Sequence, residues 1–275
     1  MKKISIGFSP CPNDTFIFDA LIHGRIDTEG LEFSVHMADV EELNLMAFRG
    51  ELDVTKLSYH AFLHSLDAYI MMDSGSALGS NCGPLLIKNQ ADENPVESSL
   101  IAIPGKYTTA NFLLNYAYPE LQNKKEFLFS DVEFALKNNE VSAGLIIHEN
   151  RFTYLERGFE KVKDLGEYWE QDTGMPIPLG GIAVKRSLHK NLQEKIQRLI
   201  RNSLEYAFKN PAESLRFVKD NAQEMDLEVI QKHINLYVND FSRTLGDTGK
   251  AAIKNMYNFS VKNNLITATD KPLFV

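Results

Sequence analysis

Lys3-Ile4-Ser5-Ile6-Gly7-Phe8 is followed by Ser9-Pro10-Cys11-Pro12-Asn13-Asp14-Thr15 and then by Phe16-Ile17-Phe18-Asp19-Ala20-Leu21-Ile22-His23-Gly24. The first run is apolar and of strand length, the second is a turn, and the third predicts a helix over 15–23 that ends at a C-cap glycine. The order then repeats. Residues 31–36 read as a strand, and Asp39-Val40-Glu41-Glu42 has the spacing of a capping box that opens a helix ending near Gly50. Residues 52–56 read as a strand and 59–66 as a helix. Such alternation predicts an α/β fold in which helices cover both faces of a parallel sheet.

Past a loop at Ser74–Gly83 and a strand at 84–88, the polar run Asn89-Gln90-Ala91-Asp92-Glu93-Asn94-Pro95 reads as a linker. The pattern then restarts. Strands are expected at 100–103, 127–129 and 143–147, with helices at 109–118 and at 131–137 behind a Ser130/Glu133 capping pair. A strand at 181–185 precedes an amphipathic helix over 187–209, and three further helical segments reach about Leu265, with Asn210-Pro211 as a break. Two α/β units facing one another leave a crevice at the carboxyl ends of their strands, where ligands bind in such folds. No repeat of fixed period is present, so solenoids and propellers are excluded.

The chain has 275 residues, 44% hydrophobic and 24% charged, with 16 Gly and 10 Pro, which places it among ordinary globular proteins. Its formal charge is -8 and no Lys/Arg-rich run occurs, which argues against nucleic-acid binding. Two cysteines, Cys11 and Cys82, fit neither a disulfide framework nor a zinc pattern. No apolar stretch approaches the roughly 20 residues that cross a bilayer, and the apolar start is too short for a signal-peptide core. A cytoplasmic protein without membrane contact is expected.

Four segments carry candidate chemistry. Ser9–Thr15 is a rigid capping loop, in which Asp14 or Thr15 satisfies the first N–H groups of the next helix, or else it also presents backbone donors to an anionic ligand. Asn13, Asp14 and Thr15 are therefore candidate lining residues. Cys11, flanked by prolines and without a histidine partner in sequence, reads as a buried thiol rather than a nucleophile. In Asp53-Val54-Thr55-Lys56-Leu57-Ser58-Tyr59 a strand ends and a helix begins. Ser58 is its expected N-cap, and Lys56 faces either solvent or a carboxylate. Pro104-Gly105-Lys106-Tyr107-Thr108-Thr109-Ala110 follows the same logic.

Ala143–Ile147 turns polar at His148, placing an imidazole at a strand's carboxyl end, as a general base or a structural hydrogen-bonding group. The other histidines, His23, His36, His60, His64, His189 and His233, read as structural or surface groups. No HExxH, Walker or GxGxxG motif is present, and no metal or redox cofactor is expected.

Together Ser9–Phe18, Asp53–Tyr59, Gly79–Pro84, Gly144–Glu149 and the closing Pro272-Leu273-Phe274-Val275 resemble the 1,4-dihydroxy-6-naphthoate synthase family of the futalosine route to menaquinone. The resemblance runs end to end. It implies a two-domain type II periplasmic-binding-protein-like fold with a ligand cleft between the domains: a larger discontinuous domain, 1–97 with 179–275, and a smaller one, 98–178. It also implies a lyase that converts cyclic dehypoxanthinyl futalosine to 1,4-dihydroxy-6-naphthoate and dihydroxyacetone without a cofactor. The family's catalytic histidine falls on His148, and its substrate-binding segments fall on Lys56, Leu57 and Ser58 and on Thr109 and Ala110. A solute-binding protein of the same fold and the related chorismate dehydratase are the alternatives.

Overall fold

The computed structural model describes residues 2–90, 96, 100–222 and 226–275, so the run read as a linker falls mostly outside the described residues. In chain order, β1 (Lys2–Phe8), α1 (Pro12–Ile22), β2 (Leu31–Met37), α2 (Val40–Phe48), β3 (Val54–Ser58), α3 (Tyr59–His64), β4 (Tyr69–Met71) and β5 (Ala77–Gly79) come first. Next are β6 (Leu85–Asn89), β7 (Ile101–Ile103), α4 (Thr109–Ala117), β8 (Lys124–Glu126), α5 (Val132–Lys137), β9 (Ala143–Ile146), α6 (Asn150–Thr153), β10 (Phe159–Asp164) and α7 (Leu165–Thr173). The chain closes with β11 (Ile177–Lys185), α8 (Lys190–Lys209), α9 (Pro211–Asn221), α10 (Leu227–Tyr237), α11 (Asp240–Arg243) and α12 (Gly246–Lys262).

Two compact units result, Met1–Gly79 with Pro178–Val275 and Ser80–Ile177. The first crossing falls at Gly79/Ser80, ahead of the position near 97 that the polar run points to. The reason is that β6 hydrogen-bonds to β9 and β10 and so belongs to the second sheet.

The sheet of the first unit runs β2-β1-β3-β11-β4, with β5 beside β11. β1 is parallel to β2 and to β3, as the alternation predicts, but β11 lies antiparallel to both β3 and β4. The sheet is therefore mixed rather than parallel. A parallel neighbour is imposed by a helical crossover, and β11 reaches the sheet only after the chain has built the second unit. In that unit the order is β10-β6-β9-β7-β8, with β7 parallel to β8 and β9, and β6 antiparallel to its neighbours.

Helix α1 is apolar around most of its circumference, and every residue from Pro12 to Leu21 is buried. Its cover comes from α8 and α9: Ile196, Leu199, Ile200, Leu204 and Val218 join Ile4, Ile6, Phe8 and Phe18 in one core, and the Phe8 and Phe18 rings stack at 4.5 Å. The Ser203 hydroxyl donates to Ile17 O at 2.6 Å and accepts from Leu21 N at 3.0 Å, pinning α8 to α1. The closing residues lie along β4, with Met71 N donating to Leu273 O and Val275 N to Met71 O, which covers that sheet edge.

Several elements depart from expectation. Phe129–Asp131 is a 3-10 turn, and the strand expected at 127–129 lies at β8 instead. Ser130 donates to Asp131 Oδ1 and Glu133 takes an ion pair from Arg157, so the expected capping pair does not form. Elements β4, β5, α6, β10 and α7 fall where no strand or helix was expected, and among the described residues four helices rather than three follow α8. Among the described residues no helix is long and apolar enough to cross a membrane.

In the Gly79–Pro84 motif, Gly83 approaches the backbone of Gly166, and a Cβ on Gly83 would lie 2.3 Å from Gly166 Cα. Arg151 donates to Gly83 O and to Asp164 Oδ2, while Asp164 caps α7 through Gly166 N and Glu167 N, so the motif fastens α6 and α7 to β6. Gly83→Ala should therefore cost about 3 kcal/mol in urea unfolding, because backbone on both sides must move. Gly158→Ala, at φ 88° with open space around it, should cost only about 1–2 kcal/mol.

Candidate functional site

The turn after β1 is rigid before any tertiary contact forms, because Pro10 and Pro12 fix two φ angles within three residues and Pro12 opens α1 at a position that needs no N–H. Cys11 stands at the N-cap without a side-chain cap, and Thr15 Oγ1 donates back to Cys11 O at 3.0 Å and to Pro12 O at 3.4 Å. The capping role expected of Asp14 or Thr15 is thus not what the structure contains. Asp14 faces inward. Its Oδ2 accepts from Ser9 N at 3.1 Å and Ser9 Oγ at 2.8 Å, and its Oδ1 accepts from Asn13 Nδ2 at 2.8 Å and from the Lys56 ammonium.

Lys56 is buried on β3, only 4% exposed, so the solvent-facing alternative for this lysine is set aside. The pair ties the β1–α1 turn to the neighbouring strand. Asn13 continues the network: its Oδ1 accepts from Cys11 Sγ at 2.9 Å and faces His233 Nε2, on α10, at 3.0 Å. Ser58, at the end of β3, does not cap α3. Its N–H donates to Asn44 Oδ1 at 3.0 Å and its hydroxyl accepts from Asn44 Nδ2 at 3.3 Å. Leu57 between them is fully buried, opposite Gly181 in the β3–β11 register. Gly180 has to lack a side chain, since a Cβ there would stand 2.8 Å from Leu57 O.

The second unit carries the other candidates. Thr108 caps α4 by accepting from Asn111 N at 3.2 Å, so Thr109 and Ala110 are its first two residues, both buried, behind Gly105 at φ 141°. His148 lies just past β9, half-buried, with φ 56°. Its ring meets Phe129 edge to face, with centroids 4.8 Å apart. A left-handed backbone is uncommon for a residue with a side chain and collects where geometry is held for a purpose.

Burial pushes the Cys11 thiol far up, the nearby Asp14 adding to the effect, in keeping with a thiol that is no nucleophile. Cys82 is likewise pushed up to about 12 by burial.

The sequence thus located Asn13, Asp14 and Lys56, which the structure brings into one network. Thr15 turns to its own helix, and Ser58 is held by Asn44. Sequence reasoning missed Asn44 and His233. His233 lies 220 positions from Asn13, and nothing local marks it.

The profile of a family described as menaquinone biosynthesis matches residues 4–262. The chain belongs to that family. A 1,4-dihydroxy-6-naphtoate synthase of Thermus thermophilus is 40% identical over 275 residues, covering all of both chains. The crystal structure of protein AF1704 from Archaeoglobus fulgidus superposes with a TM-score of 0.91 at 34% identity, over 96% of this chain and 98% of that one. The Candida albicans CA3427 gene product, described as having the generic periplasmic binding protein fold, superposes with a TM-score of 0.71 at 12% identity over 98% and 92%. The periplasmic-binding-protein-like fold implied by the sequence motifs is therefore the fold of this family member, and its named relative is a synthase, hence an enzyme.

Two outcomes follow for these buried groups. Lys56→Met strands the Asp14 carboxylate and should destabilise the protein by about 3–5 kcal/mol, whereas Lys56→Met with Asp14→Asn should recover much of that loss in the same denaturation assay. The Cys82 thiol keeps its proton in the folded chain to about pH 12 while the unfolded thiol ionises near its ordinary 9.0. Its contribution is complete below pH 9 and is lost as pH rises toward 12, at up to about 1.4 kcal/mol per pH unit. Cys82→Ser should flatten the fall in urea midpoint over that window.

Proposed function

We propose that this chain is a 1,4-dihydroxy-6-naphthoate synthase that works as a carbon–carbon lyase, converting cyclic dehypoxanthinyl futalosine to 1,4-dihydroxy-6-naphthoate and dihydroxyacetone. The observation that carries this reading is the 40% identity to the Thermus thermophilus synthase across the whole of both chains. The substrate divides completely into the two products, with no oxidant, reductant or water consumed. That balance is why no cofactor is invoked.

His148 is the general base in this reading. A group that takes a proton has to be held in one orientation, and a histidine between β9 and α6, with its ring against Phe129, suits that need. Proton removal lets the carbon framework break, and formation of the aromatic second ring drives the fragmentation. Lys56, held by Asp14, supplies an ammonium for the substrate carboxylate, a charge-assisted contact, while Leu57 and Ser58 continue that strand end. Thr109 and Ala110 offer the backbone N–H groups of the first turn of α4 to the hydroxyl oxygens. Asp14, backed by Asn13, supports Lys56, and Thr15 closes the same first turn of α1 through Cys11 O.

Incubating the purified chain with cyclic dehypoxanthinyl futalosine should produce the naphthoate chromophore and dihydroxyacetone in equal amounts. His148→Asn should lower turnover by about 10²–10⁴ with an unchanged circular dichroism spectrum. Tight binding without turnover would favour the solute-binding reading, and loss of water from chorismate would favour the dehydratase. Undiminished turnover in the His148 variant would remove the base from the mechanism.

A further inference from the structure

We propose that His233 is a positioning residue for Lys56, acting through Asn13 and Asp14; the proposal rests on the reading of Lys56 as the carboxylate-holding group. Asn13 has a planar amide with a donating end and an accepting end. Its Nδ2 faces Asp14 Oδ1 at 2.8 Å, and a carboxylate only accepts, so the amide oxygen must point the other way. There it meets Cys11 Sγ at 2.9 Å and His233 Nε2 at 3.0 Å. An amide oxygen only accepts as well, so Nε2 of His233 must carry its hydrogen.

One tautomer of a fully buried imidazole therefore sets the direction of the Asn13 amide. The amide in turn fixes Asp14 Oδ1, the oxygen on which the Lys56 ammonium docks. Flipping the amide would set its oxygen against a carboxylate oxygen and its NH2 group against an N–H, two repulsive contacts at once. The ring itself is held against Tyr237, centroids 4.6 Å apart. With the donor gone, the flipped amide loses one of those two penalties, and the place of the ammonium is no longer unique.

Two arms test this. In the wild-type protein, long-range nitrogen–proton NMR should find His233 with its hydrogen on Nε2, and the Lys56 ammonium should give a slowly exchanging signal. His233→Phe should erase or broaden that ammonium signal, and His233→Gln, which keeps an amide donor, should preserve it. In the kinetic arm, His233→Phe should raise KM for cyclic dehypoxanthinyl futalosine by about tenfold with kcat changed less than about threefold, and His233→Gln should recover most of the loss. A merely structural histidine would lower the active fraction without this split.

A hydrogen on Nδ1 with Nε2 bare, an ammonium signal unmoved in His233→Phe, or equal losses in the two variants would each overturn the proposal. The tautomer is read in the wild type, so poor folding of a variant does not shield the idea. A wild-type protein that forms no naphthoate would defeat the functional reading alone, because the NMR arm needs no substrate.

Discussion

A lysine ammonium and an aspartate carboxylate buried against each other, Lys56 of β3 and Asp14 in the first turn of α1, fix where the start of α1 sits on the first sheet. Two charges removed from water cost several kcal/mol each, and their attraction compensates only where the remaining hydrogen-bonding capacity is filled. Ser9 fills one carboxylate oxygen twice, and Asn13 shares the other with Lys56. This network explains why the turn between β1 and α1 carries so many polar side chains in a place that otherwise admits none. An apolar replacement would pack, but it would not dictate where β3 stands relative to the turn.

The strand, turn and helix at the start were legible because each has a local cause: an apolar run of strand length, prolines that fix φ, and an apolar run of helical length. The same holds for α8, whose break at Asn210-Pro211 falls where it was read. What failed was non-local. Asp14 has the chemistry of a cap, but Ser9 and a lysine more than forty positions away compete for it and win. The strands β4 and β5 have three residues each, too short for a period to register, and α7 is anchored by little more than Leu165 and Trp169 on an otherwise polar surface. The reversed entry of β11 depends on where the chain has been, which no window of sequence contains.

In the second unit the sequence located His148 from the abrupt polarity switch after β9, yet it could not give the backbone conformation. Among the described residues, five other than glycine have positive φ, and three of them are asparagines, the type that best tolerates that region. His148 is a different case, because it stands in the middle of the three-residue link between the buried strand β9 and α6. Around it Gly144 makes room for Val132, whose side chain a Cβ would approach to 2.6 Å, so α5 packs tightly beneath the strand that ends at the histidine.

That arrangement bears on how a fold shared with solute-binding proteins comes to support chemistry. Holding a ligand requires complementary donors and acceptors, which strand ends and helix starts supply in any such protein. Removing a proton requires in addition one basic atom whose position survives thermal motion, since the gain from a base collapses when the reacting atoms part by about an ångström. A side chain on a free loop does not meet that condition. In the proposed reaction that atom belongs to His148, which sits between the buried strand β9 and α6 at φ 56°. On that proposal the modest energy of a single left-handed residue, about 1 kcal/mol at His148, is what holds the ring in place.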